Sequence, residues 1–268
     1  MDNRPIGIFD SGVGGLTVVK EVMQQLPNEQ IIYFGDTARV PYGSKSKETI
    51  TKYSRQIIKF LLEKEVKAVI IACGTASSNS LKTMRREFEA LPIKGVVQPG
   101  AMAAVHTTNN NKIGIIGTES TIRSGAYKKL IQEQNPDIEV YSKACPLFVP
   151  LAEEGWVTGD IAKQTAGIYL KEILKQDIDT LVLGCTHYPL LIDCIQEVVG
   201  DQVKLVNPAT ETAAQLKRLL EENNTLRVES ALPIHEFYVS DNTTKFDQLA
   251  LSVLQKPYLA KKIDIDRY

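Results

Sequence analysis

Two short apolar runs, Ala68-Val69-Ile70-Ile71-Ala72 and Thr180-Leu181-Val182-Leu183-Gly184, each stop at a cysteine, Cys73 and Cys185. An apolar run of this length with no polar alternation reads as a strand buried on both faces. Such strands belong to parallel sheets covered by helices on each side. Pro5-Ile6-Gly7-Ile8-Phe9-Asp10, Ile31-Ile32-Tyr33-Phe34-Gly35-Asp36 and Phe237-Tyr238-Val239-Ser240-Asp241 read the same way. Between the runs lie stretches with helical spacing. Residues 16–26 carry Val18, Val19, Val22 and Leu26 on one face, and residues 47–65 carry Ile50, Tyr53, Ile57, Phe60 and Leu61. Further helices are expected at 77–91, 121–134, 158–176 and 211–222. Strand–helix alternation of this kind predicts an α/β fold with parallel sheets.

The pattern restarts near residue 98. Lys112-Ile113-Gly114-Ile115-Ile116-Gly117-Thr118 resembles Pro5-Ile6-Gly7-Ile8-Phe9-Asp10-Ser11. The offset from Gly7 to Gly114 and that from Cys73 to Cys185 differ by five residues, which loops absorb. The chain therefore reads as two pseudo-symmetric α/β domains. Gln98-Pro99-Gly100 and Asn207-Pro208-Ala209 carry turn chemistry and mark the boundaries. Residues 1–97 with 208–268 form a discontinuous first domain, and 98–207 form an inserted second domain. The chain crosses twice between them, and the cleft between domains is the expected site.

Composition removes several function classes. The 268 residues carry a formal net charge of −1, so no basic field is present to hold nucleic acid or an anionic membrane. No apolar stretch reaches the roughly 18 residues that span a bilayer. Met1-Asp2-Asn3-Arg4-Pro5 runs straight into a strand and does not read as a signal peptide, so a cytoplasmic protein is expected. The four cysteines, Cys73, Cys145, Cys185 and Cys194, form no Cys-x-x-Cys pair, and disulfides are not expected in a reducing compartment. A structural zinc site needs four ligands, and beyond Cys185 and His187 no cluster of cysteine and histidine exists, so no metal is expected. Cys145 and Cys194 read as core packing, and His106 and His235 as lying outside the chemistry.

Several strand-end segments can carry chemistry. Asp10-Ser11-Gly12-Val13-Gly14-Gly15-Leu16 follows the first strand and opens a helix. Its glycines admit a close backbone approach, and the helix start favours an anion. The dinucleotide fingerprint fails because its third glycine falls at Thr17, and no Gly-Lys-Ser/Thr is present for a P-loop. A carboxylate therefore fits better than a pyrophosphate; a plain capped turn is the alternative reading. Asp36-Thr37-Ala38-Arg39-Val40-Pro41-Tyr42-Gly43-Ser44 offers backbone amides and hydroxyls around a proline turn. Cys73-Gly74-Thr75 places a thiol before a helix whose positive end lowers a thiol pKa. Cys185-Thr186-His187 repeats that arrangement with an imidazole two residues away, able to orient or stabilise a thiolate. Cys145-Pro146-Leu147-Phe148-Val149-Pro150-Leu151-Ala152-Glu153-Glu154 ends in acids that either approach the cleft or sit at a solvated helix start. Two thiols on facing strand ends can take a proton from one side of a carbon and return one to the other, which inverts that carbon without a cofactor.

Four motifs in this order, Asp10-Ser11-Gly-Val-Gly-Gly-Leu-Thr-Val, Gly35-Asp-Thr-Ala-Arg-Val-Pro-Tyr-Gly43, Cys145-Pro-Leu-Phe-Val-Pro-Leu and Leu183-Gly-Cys-Thr-His-Tyr-Pro-Leu190, resemble bacterial glutamate racemases over nearly the whole chain. The resemblance implies two α/β domains, no cofactor, a homodimer, and L-/D-glutamate interconversion that supplies D-glutamate for peptidoglycan. It assigns Cys73 and Cys185 as the catalytic thiols, with Asp10 and His187 as their partners and Glu153 as a nearby acid. It assigns substrate binding to Asp10, Ser11, Pro41, Tyr42, Gly43, the position of Gly74, Thr75, Thr186 and His187.

One departure stands out. The family pattern reads Cys-Asn-Thr where this chain reads Cys73-Gly74-Thr75, so an amide that would hold substrate is missing. Glycine removes that hydrogen bond and loosens the turn, while the backbone N–H remains. Three rival readings follow: an aspartate racemase with the same chemistry on a shorter side chain, a catalytically impaired glutamate-binding or regulatory protein, and a cysteine hydrolase using Cys185 and His187 alone.

Overall fold

The computed structural model describes residues 1–228 and 231–268. In chain order the regular elements are β1 (Ile6–Asp10), α1 (Leu16–Gln25), β2 (Ile31–Gly35), α2 (Lys47–Glu63), β3 (Ala68–Ile71), α3 (Gly74–Glu87), β4 (Ile93–Gly95) and α4 (Val97–Thr107). There follow β5 (Lys112–Gly117), α5 (Glu119–Ser124), α6 (Ala126–Gln134), β6 (Glu139–Ala144), α7 (Phe148–Glu153), α8 (Asp160–Leu174), β7 (Thr180–Leu183), α9 (Ile192–Val199) and β8 (Lys204–Val206). The chain closes with α10 (Pro208–Glu222), β9 (Glu236–Val239), α11 (Thr243–Leu254) and β10 (Ala260–Lys262).

The strands form two all-parallel sheets, one per domain. The first has the order β10-β9-β2-β1-β3-β4, and the second β6-β5-β7-β8. In each sheet the motif strands are central, so their side chains are covered on both faces. Ile8, Ile70 and Tyr33 pack under α1, α10 and α11, while Phe9, Ile71 and Phe34 face α2 and α3 on the opposite side. Each such fully buried side chain stabilises the fold by about 1.5–3 kcal/mol relative to exposure. The order β2-β1-β3 places the ends of β1 and β3 side by side, and β5 pairs β7 in the same way.

Four local expectations are corrected. The helix after the third strand begins at Gly74, not near residue 77, because Cys73 itself is the N-cap. Gln98-Pro99-Gly100 lies inside the first turn of α4, where a missing proline N–H has no helical acceptor to lose. Asn207-Pro208-Ala209 is a helix start: the Asn207 side chain accepts from the Ala209 amide at 3.1 Å and Pro208 is the first helical residue. The helix expected over 121–134 is two helices, broken at Gly125 by its left-handed φ of 64°. The segments that carry the chain between the sheets meet each other. A Cβ on Gly100 would lie 2.8 Å from Pro208 Cγ, so only glycine lets α4 and the start of α10 pack this closely.

Asn207→Ala removes the cap at the point where the chain returns to the first sheet. It is expected to lower stability by about 1 kcal/mol, and Asn207→Asp to retain most of it, as read by chemical denaturation.

Candidate active site

The carboxyl ends of the two sheets face each other, and every strand-end motif falls in the space between them. Asp10 ends β1 and is fully buried. Its Oδ2 accepts from the Gly12 amide at 3.0 Å, which fixes the turn into α1. Its Oδ1 accepts from Thr186 Oγ1 across the domain junction at 3.3 Å. Thr17, in the first turn of α1, donates to the Thr186 carbonyl at 3.1 Å. The first loop is thereby tied to the loop that carries Cys185.

Cys73 follows β3 and caps α3; its sulfur accepts from the Ala76 amide at 3.5 Å and donates to Ser11 Oγ at 3.6 Å. It is 5% exposed. Burial pushes the Cys73 thiol up to about 12, with the negative charge of Asp10 acting in the same direction and the two hydrogen bonds opposing. Cys73 is thus held as a neutral thiol. The amides of Gly74 and Thr75, like those of any first helical turn, have no intrahelical acceptor. That arrangement suits a carboxylate.

Cys185 follows β7 and has a different setting. His187 Nδ1 lies 3.8 Å from its sulfur, and His187 Nε2 lies 3.2 Å from Glu153 Oε1. The imidazole is 4% exposed. Burial works against its charge, but the hydrogen bonds to Cys185 and Glu153, with the nearby charges of Cys185 and Asp10, more than offset it and raise His187 to about 10. Glu153 is held below the usual carboxylate range by its hydrogen bond to His187, against the effect of partial burial. Glu153 is therefore no solvated helix start: it is the last residue of α7, facing inward to His187. Lys245 of α11 lies 4.0 Å from Glu153 and 2.9 Å from Glu154, bridging the domains at the rim.

The remaining expected residues have more varied settings. Thr75 is 2% exposed, with its hydroxyl 2.8 Å from Thr118 Oγ1 and 3.4 Å from Thr121 Oγ1. The Val40–Pro41 peptide is cis, and Pro41 itself is exposed. Tyr42 is buried and donates its hydroxyl to the Asp36 carboxylate, which also accepts from Arg39 and Ser240. That hydroxyl is committed to Asp36. Gly43 abuts Thr118 of the second domain. Cys145 and Cys194 are buried in the core of the second domain. His235 accepts from the Ile31 amide at 3.2 Å, away from the cleft.

Sequence reasoning missed Thr17, Thr118, Thr121 and Lys245. A signal for Thr118 was present: the internal repeat pairs it with Ser11, and both follow a central strand at its carboxyl end. Thr121 then follows as the residue whose amide Thr118 caps, at 3.3 Å. Nothing in the sequence marks Lys245. Among the described residues no group of three or more His, Cys, Asp or Glu side chains is disposed to hold a metal ion. No helix among them is long and apolar enough to cross a membrane.

A family model described as Asp/Glu/hydantoin racemase matches residues 6–216. The chain is 51% identical over 238 residues to a glutamate racemase of Geobacter metallireducens, covering 89% of this chain and 88% of the relative. It is 43% identical over 257 residues to a glutamate racemase of Oceanobacillus iheyensis, covering 96% and 93%. The crystal structure of glutamate racemase from Francisella tularensis in complex with D-glutamate matches with a TM-score of 0.94 at 43% identity, covering 100% of each chain. With this likeness running through both sheets and through every loop that bounds the cleft, the chain belongs to the Asp/Glu/hydantoin racemase family, among its glutamate racemases.

Proposed function

We propose that this protein interconverts L- and D-glutamate by a two-base proton transfer between Cys73 and Cys185, without a cofactor. The observation that carries the proposal is the unequal setting of two buried strand-end thiols in one cleft. One base cannot reach both faces of a fixed α-carbon, so a base and an acid must stand on opposite sides. Burial holds Cys73 as a thiol, whereas Cys185 has the charged His187 imidazole 3.8 Å from its sulfur. The reaction needs one sulfur as a base and the other as an acid, and the two roles alternate with direction. Each turnover exchanges them: the thiolate takes the α-proton and becomes a thiol, and the opposite thiol gives its proton and becomes a thiolate.

The α-proton of an amino acid is weakly acidic, so the site must stabilise the carbanion-like transition state by fixed donors in a dry space. The amides of Gly74 and Thr75 at the start of α3 receive the α-carboxylate, and the buried Asp10 carboxylate faces the ammonium. Ser11, Thr75, Thr118 and Thr186 surround them. Asp10 and His187 are positioned to pass protons to and from the two sulfurs between turnovers. Glu153 keeps His187 charged. The boundaries belonging to this reading are 1–97 with 208–268 for one domain and 98–207 for the other. Supply of D-glutamate for peptidoglycan, a cytoplasmic setting and a homodimer follow from the same reading, supported by the family resemblance. The Francisella structure with D-glutamate supports a glutamate-sized substrate, and a substrate panel in which aspartate outpaces glutamate would favour the rival racemase.

The single variants Cys73→Ala and Cys185→Ala are each expected to lower kcat/KM by about 10³-fold or more. In deuterated water, newly formed enantiomer is expected to carry solvent deuterium at the α-carbon; product that keeps its original proton contradicts the two-base scheme. A hydrolase using Cys185 alone would survive Cys73→Ala.

The imidazolium–carboxylate pair gives a pH signature. His187 has a folded pKa of about 10, above its ordinary 6.5, so its contribution to stability is complete below about pH 6.5 and is lost as pH rises through about 10. Glu153 is depressed, so its contribution is lost as pH falls below the usual carboxylate range. The Tm difference between the wild-type protein and His187→Gln is expected to shrink steadily from pH 6.5 to 10. A difference that stays constant over that range rules out a charged His187.

A further inference from the structure

The loops at the carboxyl end of the first sheet touch the second domain through glycines. A Cβ on Gly14 would lie 2.5 Å from Thr186 Oγ1 and 2.6 Å from His187 Nδ1; one on Gly43 would lie 2.9 Å from Thr118 Cβ. One on Gly74 would lie 2.5 Å from the carbonyl oxygen of Gly184. The first two contacts end on side chains, which can turn. The third ends on backbone.

Gly184 has little freedom to withdraw. Its amide donates to the Ile116 carbonyl at 2.7 Å, which pins it to β5. It is itself pressed close, since a Cβ on Gly184 would lie 2.6 Å from that same oxygen. Gly74 is equally fixed, as the first residue of a helix capped by Cys73 and packed against α2. A side chain at 74 therefore cannot be absorbed locally. The contact is relieved by moving one domain away from the other. Because Gly74 adjoins Cys73 and Gly184 adjoins Cys185, that movement changes the separation of the two thiols.

We propose that Gly74 is a spacing residue: its missing side chain lets the Gly184 carbonyl seat against the start of α3 and sets the closed distance between Cys73 and Cys185. The position then differs in role from the substrate-holding asparagine of the family pattern. At this closure an asparagine has no room even for its Cβ. The catalytic consequence rests on the two-thiol reading; the spacing does not.

Alkylation of the full-length protein by iodoacetamide, followed for each cysteine by peptide mass spectrometry, tests the proposal. All four cysteines are buried. Cys145 and Cys194 lie in the core of the second domain and report on unfolding rather than on the cleft. Gly74→Ala is expected to speed labelling of Cys73 and Cys185 by about tenfold or more, an overpacking effect, while Cys145 and Cys194 keep their wild-type rates. Gly74→Asn is expected to open the cleft at least as far and to lower kcat for glutamate racemisation rather than raise it. Gly167→Ala, in α8 with nothing within 4 Å of the added methyl, is the control and should change none of the four rates. Wild-type labelling of Cys73 and Cys185 in Gly74→Ala overturns the proposal. So does equal acceleration of all four cysteines, which assigns the glycine to the fold instead. Selective labelling in a protein that never racemises glutamate supports the spacing role and removes the two-thiol function.

Discussion

The site depends on two parallel sheets meeting carboxyl end to carboxyl end. A parallel strand that ends in a βα turn presents its last residue, its loop and the first amides of the next helix in one direction. Here that happens on both sides of one cleft. Asp10, Cys73 and the start of α3 come from the first sheet, and Thr118, Cys185 and His187 from the second. Neither sheet alone could place groups on both faces of a carbon. The Asp10–Thr186 hydrogen bond and the contacts of Thr75 with Thr118 and Thr121 hold the halves together at the chemistry itself. In the proposed function, stability and chemistry share the same atoms.

The pseudo-symmetry is real in the backbone and broken in the electrostatics. Cys73 caps a regular helix and has a carboxylate nearby, so both burial and charge keep its proton on. Cys185 precedes a short 3-10 turn and has an imidazole held charged by Glu153. In the proposed two-base reaction the two thiols thus work from unequal surroundings, Cys73 beside a carboxylate and Cys185 beside an imidazole. The cost is a buried charge on His187, which is tolerable only because Glu153 and Cys185 sit within reach of its two ring nitrogens.

Much of this was legible in the linear chain. Central parallel strands need continuous apolar runs, so β1, β2, β3, β5 and β7 announce themselves, and with them the ends at Asp10, Asp36, Cys73, Thr118 and Cys185. Helix starts were less legible. Cysteine is not a usual N-cap, so α3 was placed too late; proline and glycine at 99–100 suggested a turn, although the first helical turn accepts both. The edge strands β4, β6, β8 and β10 were missed because they are short or polar: β6 reads Glu-Val-Tyr-Ser-Lys-Ala and is mostly half-exposed.

The sequence by itself determined the fold class, the internal repeat and the two thiols, because those depend on local apolar patterning and on residues next to strand ends. Only the tertiary structure decided which distant groups act on each thiol. Glu153 reaches His187 from another helix, Thr118 and Thr121 meet Thr75 across the domain junction, and Gly74 lies against Gly184. These are contacts between segments far apart in the chain, fixed by how two rigid sheets dock. No local pattern records the distance of closest approach between two backbones, and it is that distance that gives Gly74 its meaning.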